Sequence, residues 1–313
     1  MKGSTSIKCY GVTQIPKTKN YAFILEYVED GDLHHYLNKK FATIEWQKKI
    51  GILRNTVKGI KKIHNKKILH RDLHSGNILI KNNSGWAIIS DLGFSQPATI
   101  KSDLSRKSQI YGIIPYMAPE LFKGQTHSYS SDIYSLGMII WQLTSGHRFH
   151  DQEHGPKLIL DILDGKRPEI TKDTPECWAN LMKGCWLSDP SQRLSLNEID
   201  KLSEKFYNYY WYSKNRVKRD YPYMWSEFNE AEKKRLEMVE SKKPFVKNPG
   251  YEHPNSRYYS TLLNPMLESI NSKISDIYSN DNLFSNDHFD INFNQINDLE
   301  NSDDDYKRRK IVD

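Results

Sequence analysis

Cysteine is scarce in these 313 residues: Cys9, Cys177 and Cys185 are the whole set. An odd number without paired zinc spacing argues against a disulfide scaffold or a zinc module and fits a reducing compartment. Long apolar runs are missing as well. The longest, around Met138–Leu143, is too short to span a bilayer, and the opening MKGSTSIKCYG lacks the apolar core of a secretory signal. Nor does charge of one sign dominate. The 45 Lys and Arg against 39 Asp and Glu leave +6, too mild an excess to argue for nucleic acid or an anionic membrane. No internal repeat is visible. What is present, 37% hydrophobic and 27% charged residues, suffices to bury a core. The expectation is a soluble, intracellular protein, cytoplasmic, with one large domain and a tail or two modest domains.

Composition changes partway along the chain. Up to about residue 207 the apolar residues are periodic and punctuated by Gly and Pro; beyond that the chain turns rich in Tyr, Asn, Lys and Asp. Between Asn271 and Asp305 stand eight Asn and nine acidic residues against one Lys, too little apolar surface to offset the entropy of ordering. At the front, Ile7–Val12 and Tyr21–Tyr27 are β-prone runs around a polar loop that contains Pro16, which predicts a hairpin. Ile50, Leu53, Val57, Ile60 and Ile63 predict a helix over Trp46–Ile63, and Ile133, Leu136, Ile140 and Leu143 predict another over Ser131–Leu143. Strands first, helices afterwards, and a hairpin-like insert near 78–90 give the fold class α+β with a mainly helical body.

The stretch His70-Arg71-Asp72-Leu73-His74-Ser75-Gly76-Asn77 follows the first of these helices, and Asp91-Leu92-Gly93 begins fourteen residues after Asn77, behind an apolar strand. Two loops thus deliver two carboxylates and a carboxamide. Mg²⁺ takes hard oxygen ligands and keeps several waters, so Asn77 and Asp91 would serve as metal ligands beside a polyphosphate. Asp72 is then the free carboxylate that takes or orients the proton of an attacking hydroxyl.

These residues resemble the protein-kinase catalytic loop H-R-D-x-x-x-x-N and the metal-binding motif D-F-G. Further motifs follow in the family's order: Ala118-Pro119-Glu120, then Ser131-Asp132-Ile133-Tyr134-Ser135-Leu136-Gly137, then Cys185 to Arg193. The resemblance implies a kinase-like fold with a complete helical C-lobe, a hinge and a partial N-lobe sheet, and transfer of the ATP γ-phosphoryl group to a protein hydroxyl. Its cofactors would be ATP and Mg²⁺. Asp72 would be the catalytic base, with Arg71 placed to meet a phosphorylated activation-segment side chain and Asn77 and Asp91 holding Mg²⁺. Glu120–Arg193 would be a structural ion pair, and Asp132 a brace for the catalytic loop. In the hinge the resemblance sets Leu25 as gatekeeper and turns the Glu26 carbonyl and the Val28 backbone toward adenine. Leu79 would lie beneath the base, and Asp32 would reach ribose or simply cap a helix. Leu92 in place of Phe would plug the same apolar column.

Nothing in residues 1–25 matches the family's Gly-rich loop or β3 Lys, so the resemblance starts just before the fourth N-lobe strand. None of Lys8, Lys17 and Lys19 is a substitute. The wording is nearest to the tyrosine-kinase-like group, with Ser/Thr as the expected acceptor. His74 stands where Ser/Thr kinases carry Lys, either as a neutral hydrogen-bonding stand-in or as a solvated residue. Partners implied are a protein substrate and an upstream kinase acting on segment 91–120, through Ser95, Thr99, Ser102, Ser105, Ser108 or Tyr111; neither nucleic acid nor membrane is expected. The kinase domain would span 1–207, followed by a largely disordered tail over 208–313 with a solvated helix over Trp225–Glu240. Two other readings remain open. One is a catalytically impaired, kinase-like binding module; the other is a nucleic-acid binder using the basic Tyr207–Tyr223 stretch. Lys307-Arg308-Arg309-Lys310 also reads as a nuclear-import patch, diluted by neighbouring Asp.

Overall fold

The computed structural model describes residues 7–81, 86–99, 110–146, 152–211, 222–241 and 253–270. The front of the chain forms an antiparallel hairpin of β1 (Cys9–Gln14) and β2 (Tyr21–Leu25), paired from Cys9↔Leu25 to Gln14↔Tyr21. β1 begins and ends two residues later than its apolar run, because Thr13 and Gln14 still find cross-strand partners. Little covers this hairpin: Phe23 is 69% exposed and Val12 56%.

Asp32 caps α1 (Leu33–Lys40), and the chain then enters α2 (Trp46–His64). The predicted stripe of α2, from Ile50 to Ile63, is buried. So is Lys49, whose ammonium lies 4.5 Å from the Phe41 ring centre and 4.7 Å from that of Trp46. Burial pushes its pKa down to about 8. After α2 come two small antiparallel ladders, β3 (Ile68–Leu69) with β6 (Gln96–Pro97), and β4 (Ile78–Lys81) with β5 (Trp86–Ile89). The second is the expected insert near 78–90.

The centre of the body is α4 (Tyr129–Ser145). It opens on a Ser128–Ser131 capping box and closes on Gly146 at φ 64, the left-handed cap that favours glycine. Gly137 lets α6 (Glu176–Cys185) approach: a Cβ there would lie 2.8 Å from Cys185 Cβ. The short α3 (Pro119–Phe122), α5 (Pro156–Leu163) and α7 (Leu196–Trp211) complete the layer around it. The α+β class and kinase-like architecture are as expected.

Beyond residue 207 the structure departs from the expected tail. α8 (Pro222–Glu240) is no solvated helix. Phe228 is fully buried, with its ring centre 5.6 Å from Trp46, 5.3 Å from Phe206 and 6.4 Å from Trp178. Its neighbours on the buried face are Ala231 and Arg235, while Val239 stays 40% exposed. α8 also supplies carboxylates to two helix N-termini that lack side-chain caps of their own. Glu232 accepts from Trp46 N (3.1 Å) at the start of α2, and Glu227 from Cys177 N (2.7 Å) at the start of α6. Free N–H groups and the helix dipole make these favourable places for a carboxylate.

Residues 253–270 are packed as well. β8 (Thr261–Leu262) pairs antiparallel with β7 (Tyr111–Gly112), and Leu263, Leu267 and Ile270 are buried behind it. The expected disorder of 271–313, the basic patch at Lys307–Lys310, most of the Tyr207–Tyr223 stretch, and Ser102, Ser105 and Ser108 lie outside the described residues.

Candidate active site

The site is built outward from Asp132 in the first turn of α4. Its full burial works to raise the carboxyl pKa, but hydrogen bonding to His64 and the nearby imidazoles hold it below the usual carboxylate range. His64 Nε2 lies 2.8 Å away, and the backbone N–H groups of His70 (2.9 Å) and Arg71 (3.0 Å) donate to the two oxygens. This bracing fixes Arg71 at φ 71, in the left-handed region, a conformation costing on the order of 1–3 kcal/mol that the surroundings must hold. Burial also lowers the His70 pKa, and its Nε2 donates to Ser90 O at 3.1 Å.

Asp72 follows, 5% exposed. Asn77 Nδ2 donates to its backbone oxygen (2.8 Å) and to Oδ2 (3.3 Å). His74 is buried rather than solvated, and its Nδ1 accepts from Gly76 N at 3.1 Å, which puts the proton of a neutral ring on Nε2. That nitrogen lies 3.7 Å from Asp72 Oδ2. A group from far along the chain takes the other oxygen: Ser260 Oγ donates to Asp72 Oδ1 at 2.6 Å.

The two loops expected to share a site do meet. Ser90 N and Oγ both donate to Asn77 O, at 2.9 and 3.1 Å, and the next residue is Asp91. Asp91 is again left-handed, at φ 56, and its Oδ1 accepts from Gly93 N at 3.1 Å. Leu92 is 47% exposed and fills no buried column, which corrects that expectation. Glu120 and Arg193 form a bidentate pair (2.7 and 2.6 Å) that shuts Arg193 away from solvent.

Of the hinge residues, Asp32 and Leu79 are brought together by a backbone bridge, and Leu79 pairs with Ile88 on β5. Both carboxylate oxygens of Asp32 are engaged by His35, at 2.8 Å (N) and 2.7 Å (Nδ1), so the helix-cap geometry is the one present. Val28 is buried, and its carbonyl accepts from Gly31 N at 3.2 Å. The Glu26 carboxylate pairs with Lys81, which holds it below the usual range. Leu25 is 37% exposed.

The donor set suits magnesium: a carboxamide whose nitrogen already donates to Asp72 keeps its oxygen as the acceptor, and Asp91 adds a hard carboxylate. The described residues before the hinge supply no comparable lysine for the phosphates, since Lys8 lies over the Tyr10 ring at 4.7 Å. Ser260 and the 253–270 segment are the part of the site that sequence reasoning missed. Their one local signal is the β-prone run Tyr258-Tyr259-Ser260-Thr261-Leu262-Leu263, set in a polar tail.

Residues 2–202 match the profile of the family described as protein tyrosine and serine/threonine kinase. A protein of Dictyostelium discoideum named probable serine/threonine-protein kinase is 30% identical over 224 residues, 67% of this chain and 12% of that protein. One of Acanthamoeba polyphaga mimivirus, named a serine/threonine-protein kinase/receptor, is 31% identical over 193 residues, 61% of this chain and 11% of its own length. A second Dictyostelium kinase is 33% identical over 178 residues, 56% of this chain and 41% of that protein. The chain therefore spans well under two thirds of the length of these relatives.

Proposed function

Because the chain belongs to the protein tyrosine and serine/threonine kinase family, we propose that it transfers the γ-phosphoryl group of ATP to a protein hydroxyl. The observation that carries this reading is Asp72, a buried carboxylate held at its backbone by Asn77 with a hydroxyl already 2.6 Å from Oδ1. That lies within the reach a general base needs. Asp72 would orient the acceptor oxygen and take its proton, while Asn77 fixes the rotation of the carboxylate. Mg²⁺ would be held by Asn77 and Asp91 and would neutralise phosphate charge when bound. Leu25, Glu26, Val28 and Leu79 would receive the adenine, with Asp32 toward the ribose. Arg71, beside the partly buried His127, is the cation that a phosphorylated activation segment would meet, with an upstream kinase as the source of that phosphate.

Within the family we place the chain in the tyrosine-kinase-like group, on the wording of its motifs, and take Ser or Thr as its acceptor, in line with the serine/threonine-protein kinase names of its relatives. We assign it to the cytoplasm on the strength of its unpaired cysteines; no described helix is long and apolar enough to cross a membrane. A kinase-like binding module that transfers no phosphate is the alternative reading. Phosphate incorporation from labelled Mg·ATP into a general protein substrate separates the two. Transfer is expected, with Asp72→Asn lowering it about 10²- to 10⁴-fold. No incorporation by the unaltered chain sinks the kinase reading and leaves the binding module.

A further inference from the structure

Residues 253–270 lie across the mouth of the catalytic loop, and several independent contacts hold them there. Thr261 and Leu262 extend the strand Tyr111–Gly112 of the activation segment, in the register Tyr111↔Leu262 and Gly112↔Thr261. Two further hydrogen bonds continue that edge: Leu263 N donates to Ile110 O, and Ile110 N to Asn264 Oδ1, both at 2.8 Å. On the other side Arg257 N donates to His154 Nδ1 at 3.0 Å, and the Tyr258 ring centre lies 4.5 Å from that of His34 on α1. Leu263, Leu267 and Ile270 anchor the segment in the core. Strand addition with buried side-chain anchors is how an extended peptide is held by a sheet edge. Here the peptide belongs to the chain itself.

We propose that this segment occupies the protein-substrate site of its own molecule and that Ser260 is an intramolecular phosphoacceptor. The inference rests on the kinase reading above. Ser260 is the segment's residue at the reacting centre: its hydroxyl donates to Asp72 Oδ1 at 2.6 Å, and the strand that follows it fixes its position along the site. In the step, Ser260 Oγ bonds to the γ-phosphorus of ATP and the bond from that phosphorus to the β,γ-bridging oxygen breaks. ADP leaves, and the hydroxyl proton passes to Asp72. Tethering makes the encounter unimolecular, at an effective concentration in the millimolar range, so the segment excludes other acceptors until it leaves.

The test uses the full chain. Incubated with Mg·ATP and mapped by mass spectrometry, it should carry phosphate on the peptide containing Ser260, and Ser260→Ala should remove it from that peptide. The rate constant should be unchanged on tenfold dilution, and Asp72→Asn chain mixed with the unaltered protein should stay unmodified at Ser260. A tenfold slower reaction on tenfold dilution overturns the intramolecular assignment. Phosphate on an added protein substrate but none on Ser260 overturns the inference and leaves the proposed function standing; phosphate on neither sinks both. Hydrogen exchange gives a readout free of activity. The backbone amides of 110–112 and 262–263 should be protected in the unmodified chain, and Leu263→Asp should release them while α4 stays protected. Equal exchange in both proteins overturns the docking. Should Leu263→Asp fail to fold, Asn264→Ala, which removes one edge contact, should still speed exchange at Ile110.

Discussion

Arg193 and Glu120 set a complete ion pair where neither charge meets water, so the pair is worth far less than the cost of breaking it. Desolvation has already consumed most of the Coulombic gain: Glu120 accepts from Arg193, and Arg193 donates in addition to Ser130 O and Leu187 O. Glu120→Gln should leave the guanidinium uncompensated and lower unfolding free energy by about 3–5 kcal/mol in urea titrations. His127 makes a second prediction at this scale. Burial, then the neighbouring Arg71, lowers its pKa to about 4 against 6.5 for an open histidine. Between those values the unfolded chain binds the extra proton. The stability from keeping this ring neutral is therefore whole above pH 6.5 and lost as pH falls toward 4. Denaturation midpoints of His127→Gln should fall less steeply than those of the unaltered chain across that window.

At the scale of elements, what could be read in advance follows how local the cause is. The stripes of α2 and α4 repeat within the helix, so both were legible to within about two residues from spacing alone. α8 was legible as a helix but not by its buried face, because the partners of Phe228 come from α2, α6 and α7 and no periodicity of its own reveals them. Phe228→Ala should open a cavity among those aromatic rings and cost about 3–5 kcal/mol, read by urea denaturation. A loss under 1 kcal/mol would mean the helix is peripheral after all. Lys49 on α2 runs opposite to His127 in what is buried. Its folded pKa of about 8 lies below the ordinary lysine value of 10.5, so carrying the charge inside penalises the fold at neutral pH, and the penalty fades as pH rises from 8 to 10.5. Lys49→Met should be the more stable protein at pH 7, with the gap narrowing by pH 10.

Across the whole molecule, burial is distributed unevenly, and that distribution sets where the chain opens first. Asp72, Asn77 and Asp91 were readable because a motif fixes their spacing within two loops; Ser260 was not, being brought to Asp72 across 188 residues by a docking that depends on strand edges and buried leucines. The helical body around α4 shares one continuous core with α2, α6, α7 and α8. The β1–β2 hairpin contributes no residue to that core, and Tyr21, Phe23 and Ile24 stand 77%, 69% and 49% exposed. Among the described residues, the adjoining Ile7 ties it to the body, its N–H donating to Ile89 O at 3.2 Å. A two-stranded hairpin in water is marginal at best, and local opening follows from few buried apolar contacts. Hydrogen exchange should therefore find the β1–β2 amides among the fastest of the described strands and helices, at rates insensitive to Phe228→Ala. The amides of α4 should open only with global unfolding and speed up as that substitution lowers stability. Were the hairpin and α4 to exchange at one common rate, the molecule would open as a single unit and its exposed strands would need a stabilising contact beyond those described.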